Sequence, residues 1–214
     1  MVHPPDPAPC PGVRVVGVCG SLRPGSYTRL AVQCALEGAQ TLGAETRLID
    51  PRDYALPFCD GKHPDEAVPP GVLRLRRDLR WAQGIVLGTP EYHNGLSGVL
   101  KNLLDLTGFE EFEGKMVGLV GVSGGRMGAV DALNTLRGIG RALHAWVVPE
   151  QCALPEAARV FDAAGHVRDA QLAERLREVG RQVTRFAFLH QNDRVREFLH
   201  LWEDAQPNPG GQGR

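Results

Sequence analysis

At 214 residues, 43% hydrophobic and 23% charged, the chain has an ordinary globular composition and enough length for one α/β domain with a substantial core. Its formal net charge of −1 gives no reason to expect nucleic acid or an anionic membrane as the main partner, and no apolar run approaches the roughly 20 residues that span a bilayer. Five scattered cysteines (Cys10, Cys19, Cys34, Cys59, Cys152) form no CxxC or other metal spacing, so they read as reduced thiols of a cytoplasmic protein with no metal site.

Residues 1–12 are Pro-rich and lack the basic and apolar regions of a signal peptide, so they are expected to form a loose, disordered tail. VRVVGVCG (13–20) is short, β-branched and closed by Gly, as a central strand would be. YTRLAVQCALEGAQTLG (27–43) sets Ala31, Cys34, Ala35, Gly38 and Leu42 on one helical face. AETRLID (44–50) is the second strand, and residues 51–70, rich in Pro, Asp and Gly, form an excursion loop. GVLRLRRDLRWA (71–82) is predicted helical, with Arg74, Arg76, Arg77 and Arg80 as a solvated face. GIVLGTP (84–90) is the third strand. SGVLKNLLDLT (97–107) is a helix opened by Ser97, in which Lys101 and Asp105 are spaced to pair.

KMVGLVGV (115–122) is the fourth strand, and MGAVDALNTLRGIGRALH (127–144) a helix striped by Ala129, Leu133, Leu136, Gly140 and Leu143. AWVVPEQCALP (145–155) is the fifth strand, where Pro149 marks an edge or an interruption. DAQLAERLREVGRQVTRFAFL (169–189) is amphipathic through Leu172, Leu176, Val179, Val183 and Phe186. A further helix is predicted over 193–205, before a Gly/Pro-rich disordered end. Strands alternating with helices predict an α/β fold: a three-layer, doubly wound, five-stranded parallel sheet in the flavodoxin-like order 2-1-3-4-5. Residues 13–188 form that domain and 189–214 a C-terminal extension. Ligands of such a sheet lie beyond the carboxyl ends of its strands, here the loops after residues 20, 89 and 122.

The first loop, GSLRPGSYT (20–28), brings two glycines, the hydroxyls of Ser21, Ser26 and Thr28, and Arg23 to a helix start. Free N–H groups there gather around an anion, although the same residues also make an ordinary helix cap. A Walker A loop is excluded because Gly25 is followed by Ser26-Tyr27 and not by Lys, and no GxGxxG is present. The loop therefore suits a monophosphate that is bound and not transferred. The second, TPEYHNGLSGVLKNLLD (89–105), puts a carboxylate, two rings and an amide on one corner, either as a solvated turn or as the wall of a flat ligand. The third, GVSGGRMG (121–128), allows close backbone approach. It also satisfies the GxSxG pattern of a serine hydrolase at Ser123, with Asp131, Asp162, His144 and His166 downstream in the required order. That reading leaves the first loop without a task and stays a minor alternative.

Taken together, the three loops resemble the NADPH-dependent FMN reductase family, and within it the bacterial azobenzene and quinone reductases, over residues 13–187. GSLRPGSYTRLA resembles the family's phosphate loop, with Thr28 where many members carry Asn, and TPEYHNGLSGVLKNLLD its TPEY loop and following helix. The resemblance implies FMN as cofactor and NADPH or NADH as co-substrate. It implies that Ser21, Arg23, Ser26 and Thr28, with the Tyr27 backbone, hold the FMN phosphate. Pro90, Glu91, Tyr92, His93 and Asn94 would line the ribityl chain and one side of the ring; Ser123, Gly124, Gly125 and Arg126 would face its pyrimidine edge. His93 stands after Tyr92 where Tyr-Asn is commoner, which leaves open which side chain takes the Asn role. The implied reaction is ping-pong: hydride passes from NAD(P)H to flavin N5 and then to a quinone, azo compound, free flavin or metal oxyanion, with no catalytic side chain. A homodimer or homotetramer is implied as well. From a different class, an electron carrier or redox sensor without nicotinamide turnover is the alternative; such carriers tend to be strongly acidic, and a charge of −1 argues against it.

Overall fold

The structure, a computed structural model, describes residues 9–61 and 68–191; the first eight residues of the predicted tail and the helix predicted over 193–205 with the end beyond it lie outside them. β1 (Arg14–Cys19), β2 (Glu45–Ile49), β3 (Gly84–Tyr92), β5 (Met116–Val122) and β6 (Trp146–Leu154) form a parallel sheet in the order β2-β1-β3-β5-β6. This is the flavodoxin-like order that the strand pattern predicts. A two-residue strand, β4 (Gly95–Leu96), pairs antiparallel with the end of β3 and was not foreseen. The helices are α1 (Tyr27–Gln40), α2 (Pro70–Arg80), α3 (Gly98–Asp105), α4 (Phe109–Phe112), α5 (Val130–Ala142), α6 (Ala157–Val160) and α7 (Ala170–Leu189). The excursion loop after β2 opens with a 3-10 turn at Pro51–Asp53, and the short α4 and α6 carry too few residues for a periodic signal.

The sheet is buried on both faces because its side chains alternate with a period of two. Val15, Val86, Val120 and Val122 join α1 and α7 in one core layer. Val16, Val18, Ile85, Leu87, Val117 and Leu119 join α2, α3, α4 and α5 in the other. The face predicted for α1 is buried throughout; Leu143 of the α5 stripe and Leu172 and Phe186 of the α7 stripe are only half-buried. Pro149 lies on the edge strand and at an irregularity: Val117 pairs with Val147 but Leu119 with Gln151, so Val148, Pro149 and Glu150 stand opposite Gly118 alone. Arg137 from α5 donates to the carbonyls of Val148 (3.2 Å) and Pro149 (3.4 Å) and to Gln151 Oε1 (2.8 Å), supplying donors that the bulge withdraws.

The arginines of α2 are more engaged than a solvated face requires. Arg74 stacks its guanidinium on Tyr54, Arg76 Nε donates to the Leu106 carbonyl (2.9 Å), and Arg80 Nε bonds Glu111 Oε1 (2.7 Å) while its other end meets Glu110. Among the four, Arg77 alone is predominantly solvated, near Asp78. The Lys101–Asp105 pair forms as its spacing predicts, at 2.6 Å on an exposed surface. Four of the five thiols are buried, none of the five is in a disulfide, and burial pushes Cys34 and Cys152 up to about 11. Among the described residues no His/Cys/Asp/Glu cluster suits a metal, and no helix is long and apolar enough to cross a membrane.

Beside Glu111, Lys115 Nζ donates to the Leu79 carbonyl (2.8 Å), and burial pushes its amine down to about 8 despite the nearby carboxylate. The unfolded chain keeps this proton up to about 10.5, so between the two values it binds more protons than the native state and wild-type stability rises with pH. Lys115→Met is therefore expected to stabilise by about 1–3 kcal/mol below pH 8, with the advantage disappearing toward pH 10.5. Urea melts of both proteins at the two ends of that window test this; a difference independent of pH would refute it.

Candidate functional site

Each of the three predicted loops leaves the carboxyl end of a strand at the switch between β1 and β3, and they close around one cavity of about 480 Å³. Ser21, Arg23, Ser26, Tyr27 and Thr28 line it from the first loop, Pro90, Glu91 and Tyr92 from the second, and Ser123 and Gly124 from the third. His93, Asn94, Gly125 and Arg126 are not among its lining residues.

At the first loop, Ser26 caps α1, its Oγ accepting from Arg29 N (3.3 Å). Tyr27 and Thr28 occupy the first two helical positions, where N–H groups have no intrahelical acceptor. Ser21, Ser26 and Thr28 are all nearly buried yet face the cavity. Arg23 is exposed on its rim and has no ion-pair partner among the described residues. Hydroxyls, free N–H groups and an uncommitted guanidinium on one side of a cavity fit a phosphate monoester. The Tyr27 ring also takes part, stacked on Phe161 at a centroid distance of 5.4 Å.

Two residues that sequence reasoning left out tie the first and second loops together. Ser97 Oγ donates to the Gly20 carbonyl (2.6 Å) while accepting from Leu100 N (3.1 Å) as the cap of α3. Ser97 N donates to Thr89 Oγ1 (3.0 Å), whose own proton goes to the Pro90 carbonyl (2.8 Å). Both side chains are buried, so the first and second loops are held as one unit. Ser at a helix start is legible as a cap, but its second bond, across 77 residues, is not.

The Tyr-His-Asn-Gly corner is a hairpin turn. Tyr92 pairs with Gly95, and His93 and Asn94 between them have φ of 51° and 60°, the positive pair of a type I′ loop. Asn and His are among the few non-glycine residues that tolerate this region. The turn throws both side chains to the exposed tip and leaves Tyr92 on the cavity wall. Glu91 also lines the cavity, but its carboxylate accepts from Ala132 N (3.0 Å) in the first turn of α5, where Ala129 provides no side-chain cap. Asn102 of α3 holds the excursion loop, accepting from Cys59 N (2.8 Å) and donating to the Pro57 carbonyl (2.9 Å).

In the third loop, Gly125 N donates to Ser123 Oγ (3.0 Å), and a Cβ on Gly124 would project into open space, room that a flat ligand can fill. The Ser123 and Gly125 carbonyls accept from Ala157 N and Glu156 N (both 3.0 Å), which makes α6 a fourth wall. Ala157 and Ala158 line the cavity there. The hydrolase alternative lacks its central contact: among the described residues, Ser123 makes no hydrogen bond to a histidine. His144 bonds Glu113 (2.9 Å) and stacks on Phe109, His166 pairs with Asp162 (3.6 Å), and Ser123 has backbone φ outside the positive region of a strained elbow. Arg126 is 86% exposed, 3.8 Å from Glu156, with its side chain lining a neighbouring cavity.

Residues 13–159 match the NADPH-dependent FMN reductase family. The NADPH-dependent FMN reductase ArsH of Shigella flexneri is 35% identical over 184 residues, covering 84% of this chain and 70% of its own length. The FMN-dependent NADPH-azoreductase of Staphylococcus aureus is 30% identical over 174 residues, covering 79% and 92%. In fold, the chain is similar to FerB, a flavoenzyme NAD(P)H:(acceptor) oxidoreductase from Paracoccus denitrificans, with a TM-score of 0.68, 24% identity and coverage of 83% and 98%.

Proposed function

Because the chain belongs to the NADPH-dependent FMN reductase family, an NAD(P)H-dependent enzyme with FMN as cofactor, we propose that the three-loop cavity is its flavin site and that a small oxidised organic molecule is its electron acceptor. The observation that carries the site is the convergence of all three loops on one cavity whose phosphate end holds an uncommitted cation, Arg23. Ser21, Ser26, Thr28 and the first N–H groups of α1 bind the phosphate, with Arg23 neutralising it. Pro90 and Tyr92 form the wall along the ribityl chain and ring, and Ser123 with Gly124 offers a hydroxyl and an N–H to the polar edge of the ring. The Gly20–Ser97–Thr89 bonds fix both ends of the cavity before any ligand arrives, which favours a preorganised geometry.

Held by these residues, FMN would supply a two-electron carrier between NAD(P)H and the acceptor, in the ping-pong order we assign to the reaction. Azo compounds and quinones are the acceptors we assign, the azo compounds supported by the name of the Staphylococcus aureus relative; free flavin and metal oxyanions are further candidates to assay. Assembly as a homodimer or homotetramer in the cytoplasm belongs to the same reading, supported by the exposed Phe58 of the excursion loop, by the exposed Tyr92 of the cavity wall and by cysteines that form no disulfide.

Purified protein is expected to be yellow and to bleach on anaerobic addition of NADPH, recovering colour with a quinone or azo dye. A yellow protein that stays oxidised with both NADPH and NADH would instead be an electron carrier.

A further inference from the structure

On the far side of the third loop lies a second cavity, of about 430 Å³, lined by Arg126, Met127, Ala153, Pro155, Leu172 and Arg175 among others. The loop contributes to the lining of both. Ser123 and Gly124 face the first cavity and Arg126 to Gly128 the second. Met127 lies three residues beyond Gly124, a chain length of at most about 11 Å. A molecule reacting in the first cavity can therefore extend into the second across one short stretch of backbone.

The chemistry of this second cavity is distinct. Its floor is apolar, from Ala153, Pro155 and Leu172, with Met127 at its rim, a flexible thioether suited to lie against a flat ring. Its cations are uncommitted. Arg175 has no ion-pair partner among the described residues, and Arg126 stands 3.8 Å from a Glu156 that already bonds Arg159 at 3.0 Å. Asp169, the carboxylate in the wall, is turned to the N–H groups of Gln171 (2.8 Å) and Leu172 (3.2 Å). An apolar floor beneath two available guanidinium groups suits a purine carrying a phosphate monoester.

We propose that this cavity receives the adenosine 2′-phosphate end of NADPH and that Arg175 is the residue that distinguishes NADPH from NADH. The assignment rests on the placement of the reductase site in the adjacent cavity. The two nucleotides differ only by that phosphate, which carries nearly two negative charges at neutral pH. Arg175 meets the charge and Arg126 closes over it, while the nicotinamide end stays with Tyr92 and Gly124.

Calorimetric titration of the FMN-loaded protein tests binding apart from turnover. Wild type is expected to bind 2′,5′-ADP at least about tenfold more tightly than 5′-ADP, with inorganic phosphate weakest, and Arg175→Ala to bring the two nucleotides within about twofold. In steady state, Arg175→Ala should raise KM for NADPH about ten- to a hundredfold, leave kcat and the NADH KM unchanged, and be partly rescued by Arg175→Lys. Equal affinity of wild type for the two ADP species would overturn the proposal, as would an NADPH KM that Arg175→Ala does not move. Failure of the reductase site itself is recognised separately: wild type would then turn over neither NADH nor NADPH, whatever the calorimetry gave.

Discussion

Gly180→Ala is expected to lower the thermal midpoint by about 10 °C or more, or to leave the protein insoluble, although it adds a single methyl group to a helix. The reason is the closeness of α1 and α7. A Cβ at Gly180 would stand 1.8 Å from the Ala35 carbonyl oxygen and 3.0 Å from Ala39 N, and one at Gly38 would stand 2.0 Å from the Arg177 carbonyl oxygen. Backbone therefore meets backbone, with no flexible side chain to move aside. Withdrawal of α7 is opposed from below. Val179 and Val183 sit over Gly84 and Gly118 of the sheet, at distances a Cβ there would reduce to 2.5–2.7 Å. Lifting the helix would open cavities along that line, at a cost of about 3–5 kcal/mol, comparable with a good part of the stability of a whole domain. Gly138→Ala is the control, since a Cβ there meets nothing, and it should be neutral or stabilising by roughly 0.5–1 kcal/mol. Thermal melts of the three proteins decide the matter; a Gly180→Ala protein as stable as wild type would mean that the helices are not in backbone contact.

Arg23→Ala combined with Ser26→Ala is expected to weaken FMN retention by about a hundred- to ten-thousandfold. The combined variant removes one charge-assisted contact and one hydroxyl from the phosphate end of the cavity, each worth roughly 1.5–3 kcal/mol to a charged group. Ser26 also caps α1, so the double variant should lose about 1 kcal/mol of stability for a reason unrelated to flavin. Arg23→Ala alone separates the two effects. Its side chain is exposed and makes no ion pair within the described residues, so the apoprotein should melt as wild type while FMN affinity still falls about tenfold or more. Fluorescence titration of FMN into the apoproteins reads both variants. Unchanged affinity in the double variant would place the phosphate elsewhere.

The layout of the site was legible because its signals are local. Ser26 and Ser97 mark helix starts, buried strands show as β-branched runs, and glycines mark the loops between them. The site's interior was less so. Tyr92, His93 and Asn94 are contiguous and chemically alike in their capacity to hold a flavin, but the I′ turn sends the last two to the tip. Glu91 carries the right chemistry for a ligand contact and is spent on α5, 41 residues away. Arg126 stands two residues after Gly124, which faces one cavity, and itself lines the other.

Periodicity, caps and loop motifs thus determined the elements, their order in the sheet and the three loops that make the site, since each depends on residues close together in the chain. Tertiary structure alone decided which side chains reach the cavity, that Ser97 and Thr89 lock two loops together, and that a Cβ has room at Gly138 but none at Gly180. Those outcomes depend on directions and distances between elements far apart in sequence. A pattern of residue types along one chain carries the period of an element but not the vector of its neighbour.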